Sequence, residues 1–214
     1  MYRYLDELLA KIKKKLRTEF NKLGVMGFDS LNVVSTRKLT KELFDRLLAD
    51  NEAMYRRVAK DSYKKATKSA QAVGFSGKEE EPGGEWVSGV LIGYNLVTGY
   101  LYDKEAERKR LRLNEQILTA REYEDQQMYR DSLRRTANLW WTQTAQYGIT
   151  MVDSATIKGY RDMGVKEVMW VAADDEKTCS TCGERDGEIY AINKIPAKPH
   201  YGCRCQLVPV SIKE

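Results

Sequence analysis

Apolar residues recur at steps of three and four along the first part of the chain. Leu5, Leu8, Leu9, Ile12, Leu16, Phe20 and Leu23 fall on one face of a helix over residues 4–23, which Gly24 and Gly27 are expected to end. A second stripe, Leu39, Leu43, Leu47, Met54 and Val58, predicts a helix over about residues 36–73. Residues 103–146 contain neither Gly nor Pro, and Asp103 is placed to cap a long helical region there. Leu113, Ile117, Leu118, Ala120, Tyr123, Met128 and Leu133 offer it a packing face, with charge pairs of the Glu105–Lys109 type on its surface. The pattern does not decide between one rod and two helices. Gly148 reads as an interruption, followed by a shorter helix closed by Gly164.

At Val165 the period changes. The segments 165–172, 187–192 and 205–210 are short and rich in Val, Ile and aromatic residues, and are expected to be strands. The stretch GFSGKEEEPGG, residues 74–84, is loop by composition and reads as a hinge or disordered linker. These boundaries give an N-terminal helical arm (1–73), a linker (74–84), a helical body (85–164) and a β-rich module (165–214). Residues 86–102 carry no charge, but three glycines with Ser88, Asn95 and Thr98 make the run a buried or packed segment rather than a membrane span. The N-terminus has acids among its leucines and lacks the apolar core of a signal peptide.

With 36 Lys+Arg against 31 Asp+Glu, the net charge of +5 falls short of the excess carried by a dedicated nucleic-acid binder. The basic residues are nevertheless uneven. Arg56, Arg57, Lys60, Lys64, Lys65 and Lys68 stand against Asp61 alone over residues 53–70. Such a run is either a solvated helix face or a contact for DNA or an acidic protein partner. Trp140 and Trp141, adjacent in a helix, project about 100° apart; one is expected to pack and the other to face outward.

All four cysteines lie between residues 179 and 205, as Cys179-x2-Cys182 and Cys203-x-Cys205, with His200 three residues before Cys203. Clustering of this kind suggests one site in a reducing compartment. Zinc takes four thiolate or imidazole ligands in a tetrahedron, and a CxxC turn supplies two of them. The chain between the halves can fold back as a short hairpin, with Gly183, Gly187 and Gly202 giving tight backbone near the ligands. Five donors compete for four places: the four cysteines, with His200 behind them, or His200 in place of Cys203 or Cys205. A redox dithiol, two disulfides or inert thiols are the alternatives, although no thioredoxin-like βαβ pattern surrounds the CxxC. The fold expected is mainly α with a small C-terminal α/β module stabilised by structural zinc: an elongated helical body carrying a short β-hairpin knob.

A full ligand set leaves no open position for catalytic water. Asp174, Asp175 and Glu176 precede the site and could serve as an acid/base pair, but turn and capping roles are commoner for such residues. His200 is the only histidine, and neither a nucleophile elbow nor a Gly-rich phosphate loop occurs. No enzyme activity and no small-molecule substrate are expected.

The C-terminal string resembles phage minor head proteins, the group that includes the F protein of phage Mu. The resemblance rests on Gly164-Val165, Trp170, Asp174 or Asp175, Cys179, Cys182, Gly187, His200, Cys203, Arg204 and Cys205, with similar helices at residues 97–117 and 134–146. It extends over about residues 85–210 and implies a structural role in head morphogenesis. Family members associate with the portal vertex in few copies and assist assembly of DNA-filled heads, and some contact the packaged DNA. The implied partners are a portal protein, other head proteins and, non-specifically, packaged DNA. The implied location is the virion, in the head interior or at the portal vertex, after a stage in the host cytoplasm.

Overall fold

The computed structural model describes residues 2–25, 27–98, 102–173, 178–200 and 202–210. Five long helices precede a small sheet: α1 (Arg3–Val25), α2 (Val33–Ala72), α3 (Gly84–Thr98), α4 (Tyr102–Glu122) and α5 (Gln126–Asp162). Then follow β1 (Glu167–Val171), the one-turn helix α6 (Ser180–Glu184), β2 (Ile189–Ala191) and β3 (Gln206–Pro209). A 3-10 turn, Phe28–Ser30, links α1 to α2. The chain is mainly helical, as its periodicity predicts, with one small antiparallel sheet ordered β2-β1-β3.

Two compact units share the chain. One comprises Glu7–Met54 and Leu91–Ala145. Its core joins Leu16, Phe20 and Leu23 of α1, Leu43, Phe44 and Leu47 of α2, Leu113, Ile117 and Ala120 of α4, and Tyr129, Leu133 and Trp140 of α5. These are largely the residues of the apolar stripes. Trp140 is buried and meets Phe44 edge-on at 5.2 Å, while half-buried Trp141 lies under the Lys13 ammonium at 5.0 Å. Asn32 starts α2 by accepting the amides of Val34 and Ser35 at 3.0 Å each.

The other unit comprises Met1–Asp6, Tyr55–Val90 and Gln146–Glu214. Its sheet is centred on β1, with Val168 opposite Tyr190 of β2 and Trp170 opposite Leu207 of β3. Val168 and Trp170 point into a core with Ala66 and Ala70 of α2 and Tyr160 and Met163 of α5. The Tyr160 hydroxyl donates to the Leu207 carbonyl at 3.0 Å, tying α5 to β3.

Several expectations are corrected. The region after residue 102 is two helices: Glu124 adopts a left-handed conformation (φ 53°), and Asp125 opens α5 by accepting the Met128 amide at 2.8 Å. Asp103 lies within the first turn of α4 rather than ahead of it. Tyr123 of the expected packing face is 71 % exposed. Gly148 does not interrupt α5; a Cβ there would come within 2.7 Å of the Leu5 side chain, so the glycine serves close approach. Gly24 likewise lies inside α1. Residues 86–98 of the uncharged run lie in α3, which buries Val87 and Leu91 but exposes Ile92, while residues 99–101 lie outside the described residues. Residues 74–83 are irregular, as composition predicts, yet they are pinned rather than a free hinge. Phe75 is buried, the Glu80 amide donates to the Tyr63 hydroxyl at 2.6 Å, and Lys60 meets Glu81 at 3.0 Å.

Candidate metal centre

The CxxC half of the site is a short helical turn. Cys179 has extended backbone immediately before α6, and its carbonyl accepts the Gly183 amide at 2.9 Å. This places Cys182 one turn on, so that both sulfurs converge on one side. The second half begins with a turn in which the Cys203 amide approaches the His200 carbonyl at 3.4 Å. Gly202 supplies the left-handed residue of that turn (φ 75°), a conformation a residue with a Cβ adopts only at a cost. From there the chain is extended. Burial alternates, so Cys203, Cys205, Leu207 and Pro209 share the inward side, as the spacing of the cysteines predicts.

Two overlapping triads result. One joins Cys179, Cys182 and His200 and the other Cys182, Cys203 and Cys205, the donor atoms of each lying within 4.8 Å of one another. Cys182 belongs to both. Its sulfur lies 3.5 Å from His200 Nε2 and 3.6 Å from Cys203 Sγ. A tetrahedral ion held at about 2.3 Å by sulfur and about 2.0 Å by imidazole sets S···S near about 3.8 Å and S···N near about 3.5 Å. The observed separations match this spacing. They are far from the roughly 2.05 Å of a disulfide, and all four cysteines are free thiols. Each triad could hold a metal ion, and the two meet at Cys182, so all five sequence-predicted ligand candidates fall within the two triads.

The thiols are tuned unequally. Burial pushes the Cys182 thiol well up, reinforced by its sulfur neighbours Cys205, Cys179 and Cys203. Burial raises Cys203 as well. Cys179 is lowered, chiefly by the backbone amide of Cys182, which favours its thiolate. A dithiol of this kind, buried on one side and crowded by three further donors, is arranged for coordination more than for exchange with an outside thiol.

Around the cluster lie residues that sequence reading missed: Tyr2, Asp6, Asp153 and Lys198. Lys198 Nζ pairs with Asp153 at 2.9 Å and donates to the Cys203 carbonyl at 3.1 Å. Desolvation raises the Asp153 carboxyl, opposed by Lys198 and the Tyr2 hydroxyl, and burial followed by Asp153 raises the Tyr2 phenol. No local motif marks these residues, because their partners are remote in sequence.

Arg56, Arg57, Lys60, Lys64, Lys65 and Lys68 lie far from the cysteines in sequence and are all exposed on α2. Lys60 and Lys64 both pair with Glu81, and Lys65 pairs with Asp61 at 2.6 Å. Hydrogen bonding from Lys60 holds the Glu81 carboxyl below its ordinary range. Asp174, Asp175 and Glu176, the conceivable acid/base residues, lie outside the described residues. Among the described residues no helix is long and apolar enough to cross a membrane.

No curated protein and no solved structure matches the chain. Residues 105–208 match the family described as phage Mu protein F like protein, a span that includes α5, β1, β2, β3 up to residue 208 and all five metal-donor candidates. That family points to a structural, head-related role in the virion and to partners among other head proteins. Over residues 105–208, just under half of its length, the chain is similar to the phage Mu protein F-like family, whose members serve head morphogenesis.

Proposed function

We propose that this protein is a minor structural component of a tailed-phage head, associated with the portal vertex, where it assists head assembly and DNA packaging or ejection. Its C-terminal module is stapled by one structural zinc ion. Either Cys179, Cys182, Cys203 and Cys205 hold the ion, or His200 takes the place of Cys203 or Cys205. A thiolate-rich tetrahedral donor set selects zinc over the harder divalent cations. Bound there, the ion supplies rigidity, and the protein's role is to dock rather than to turn over a substrate.

The single observation that carries this reading is the family match over residues 105–208, with the donor cluster at its C-terminal end. Sedimentation of the zinc-loaded chain with purified portal rings of the same phage tests it. Co-migration is the expected result. Heads that assemble and package DNA normally without this protein contradict the reading.

A zinc-ribbon nucleic-acid binder is the second reading, favoured by the exposure of all six basic residues along one stretch of α2. The pairing of Lys60 and Lys64 with Glu81 weakens it. It requires salt-sensitive DNA affinity that disappears on charge reversal at Arg56, Arg57, Lys60 and Lys64.

A further inference from the structure

The residues matched to the family begin at 105, yet the loop bearing His200, Cys203 and Cys205 is gripped by the other end of the chain. Tyr2 is 6 % exposed. Its hydroxyl donates to Asp153 Oδ1 at 2.6 Å, accepts from Lys198 Nζ, and lies 3.4 Å from the Cys205 carbonyl. Its ring is flanked by the Lys198 ammonium at 4.8 Å and the Arg204 guanidinium at 5.4 Å. Lys198 in turn reaches the Cys203 carbonyl. One turn along α1, Asp6 receives both guanidinium nitrogens of Arg204 at 2.7 Å. Arg204 stands between the two cysteines, so the fork fixes which way its neighbours face.

Residue 203 is thus held through Lys198 and residue 204 by Tyr2 and Asp6, while the Cys205 carbonyl lies beside the Tyr2 hydroxyl. These are carbonyl and side-chain contacts; the sulfurs are left to the ion. Groups that orient metal ligands in this way commonly contribute 10–100-fold to affinity. A bidentate Arg–carboxylate pair adds the geometric precision that a single hydrogen bond lacks.

We infer that residues 2–6 are a working part of the metal module: Tyr2 and Asp6 are positioning residues that hold Lys198 and residues 203–205 in liganding geometry. Metal loading and docking of the N-terminal turn therefore stabilise one another, because coupling between two bound groups is reciprocal. This rests on the metal reading of the cysteine cluster. It extends that reading to a segment outside the family match.

The test is competitive zinc titration of the full chain against a chromophoric chelator, for the wild type, Tyr2→Phe, Asp6→Asn and the double variant. Val87→Ala is the control: it removes buried methyl groups of the same unit but no hydrogen bond. Each single variant is expected to bind zinc about 3- to 10-fold more weakly, and the double variant about 10- to 100-fold more weakly. Val87→Ala is expected to leave affinity near the wild-type value. The cobalt-substituted single variants should keep a tetrahedral d–d spectrum, since no ligand is lost. Tyr2→Phe keeps the ring and its packing, so it remains informative if the double variant folds poorly. Wild-type affinity in Tyr2→Phe and Asp6→Asn, or an equal loss in Val87→Ala, overturns the inference while leaving the metal site intact. Absence of zinc binding by the wild-type chain overturns the metal reading itself.

Discussion

The helical unit and the unit that carries the cysteines have cores of different kinds. In the first, fifteen buried side chains from the linker turn and four helices form one apolar cluster with Leu113 and Ala120 fully enclosed. In the second, the sheet has strands of three to five residues, and three of its twelve buried cluster members are thiols. Burial of apolar area can hold the first in place. In the second, the inward positions 182, 203 and 205 are given to donors that contribute fully only when they share an ion. With the proposed zinc bound, the same chain divides its stabilisation between packing and coordination, and the two respond to different perturbations.

Cys182→Ala strikes the coordination side at the one donor common to both triads. It is expected to abolish stoichiometric zinc binding and to melt the β1–β3 region, given that structural zinc is worth about 10–16 kcal/mol in zinc-finger peptides. Metal analysis and amide exchange over residues 167–171 and 206–208 check this. Leu113→Ala strikes the packing side. It should cost about 2–5 kcal/mol in denaturant unfolding and leave zinc content unchanged. Parallel loss of metal in both variants would erase the distinction.

The pH dependence sharpens it further. Burial raises Cys182 and Cys203, so both thiols carry protons through the neutral range when no ion is bound. Zinc must displace those protons, so affinity rises as pH rises, by up to about tenfold per proton per pH unit. Titrations between about pH 6 and pH 8 should show this steep increase. The mildest change is Asp125→Ala, which removes the cap on α5. A loss of about 1 kcal/mol is expected, again with zinc retained.

Much of this was legible in the sequence where the determinants are local. The stripe from Leu5 to Leu23 marks α1 because a helix repeats on a scale the chain itself displays. The Cys179–Cys182 and Cys203–Cys205 spacings likewise point to the thiols that the fold gathers. Reading failed where the cause was remote or irregular. Glu124 breaks the helical run in a left-handed conformation that no glycine announces. Gly148 looked like a breaker because its partner, Leu5, lies far away in sequence. The grip of Asp6 on Arg204 spans 198 positions, and no periodicity can foretell it. The hinge expected at residues 74–84 failed similarly, since the buried Phe75 and the Tyr63 hydroxyl anchor a stretch whose composition argues for freedom.

Elemental analysis of the freshly purified, reduced chain, coupled to amide exchange before and after chelation, addresses the coordination site at its root. About one zinc per chain should be found, matching a single tetrahedral site. Stripping it should speed exchange in β1 and β3 while the amides around Leu113 and Leu133 stay protected. A metal-free chain whose β1 and β3 amides exchange at the same slow rate with and without chelator would contradict the account.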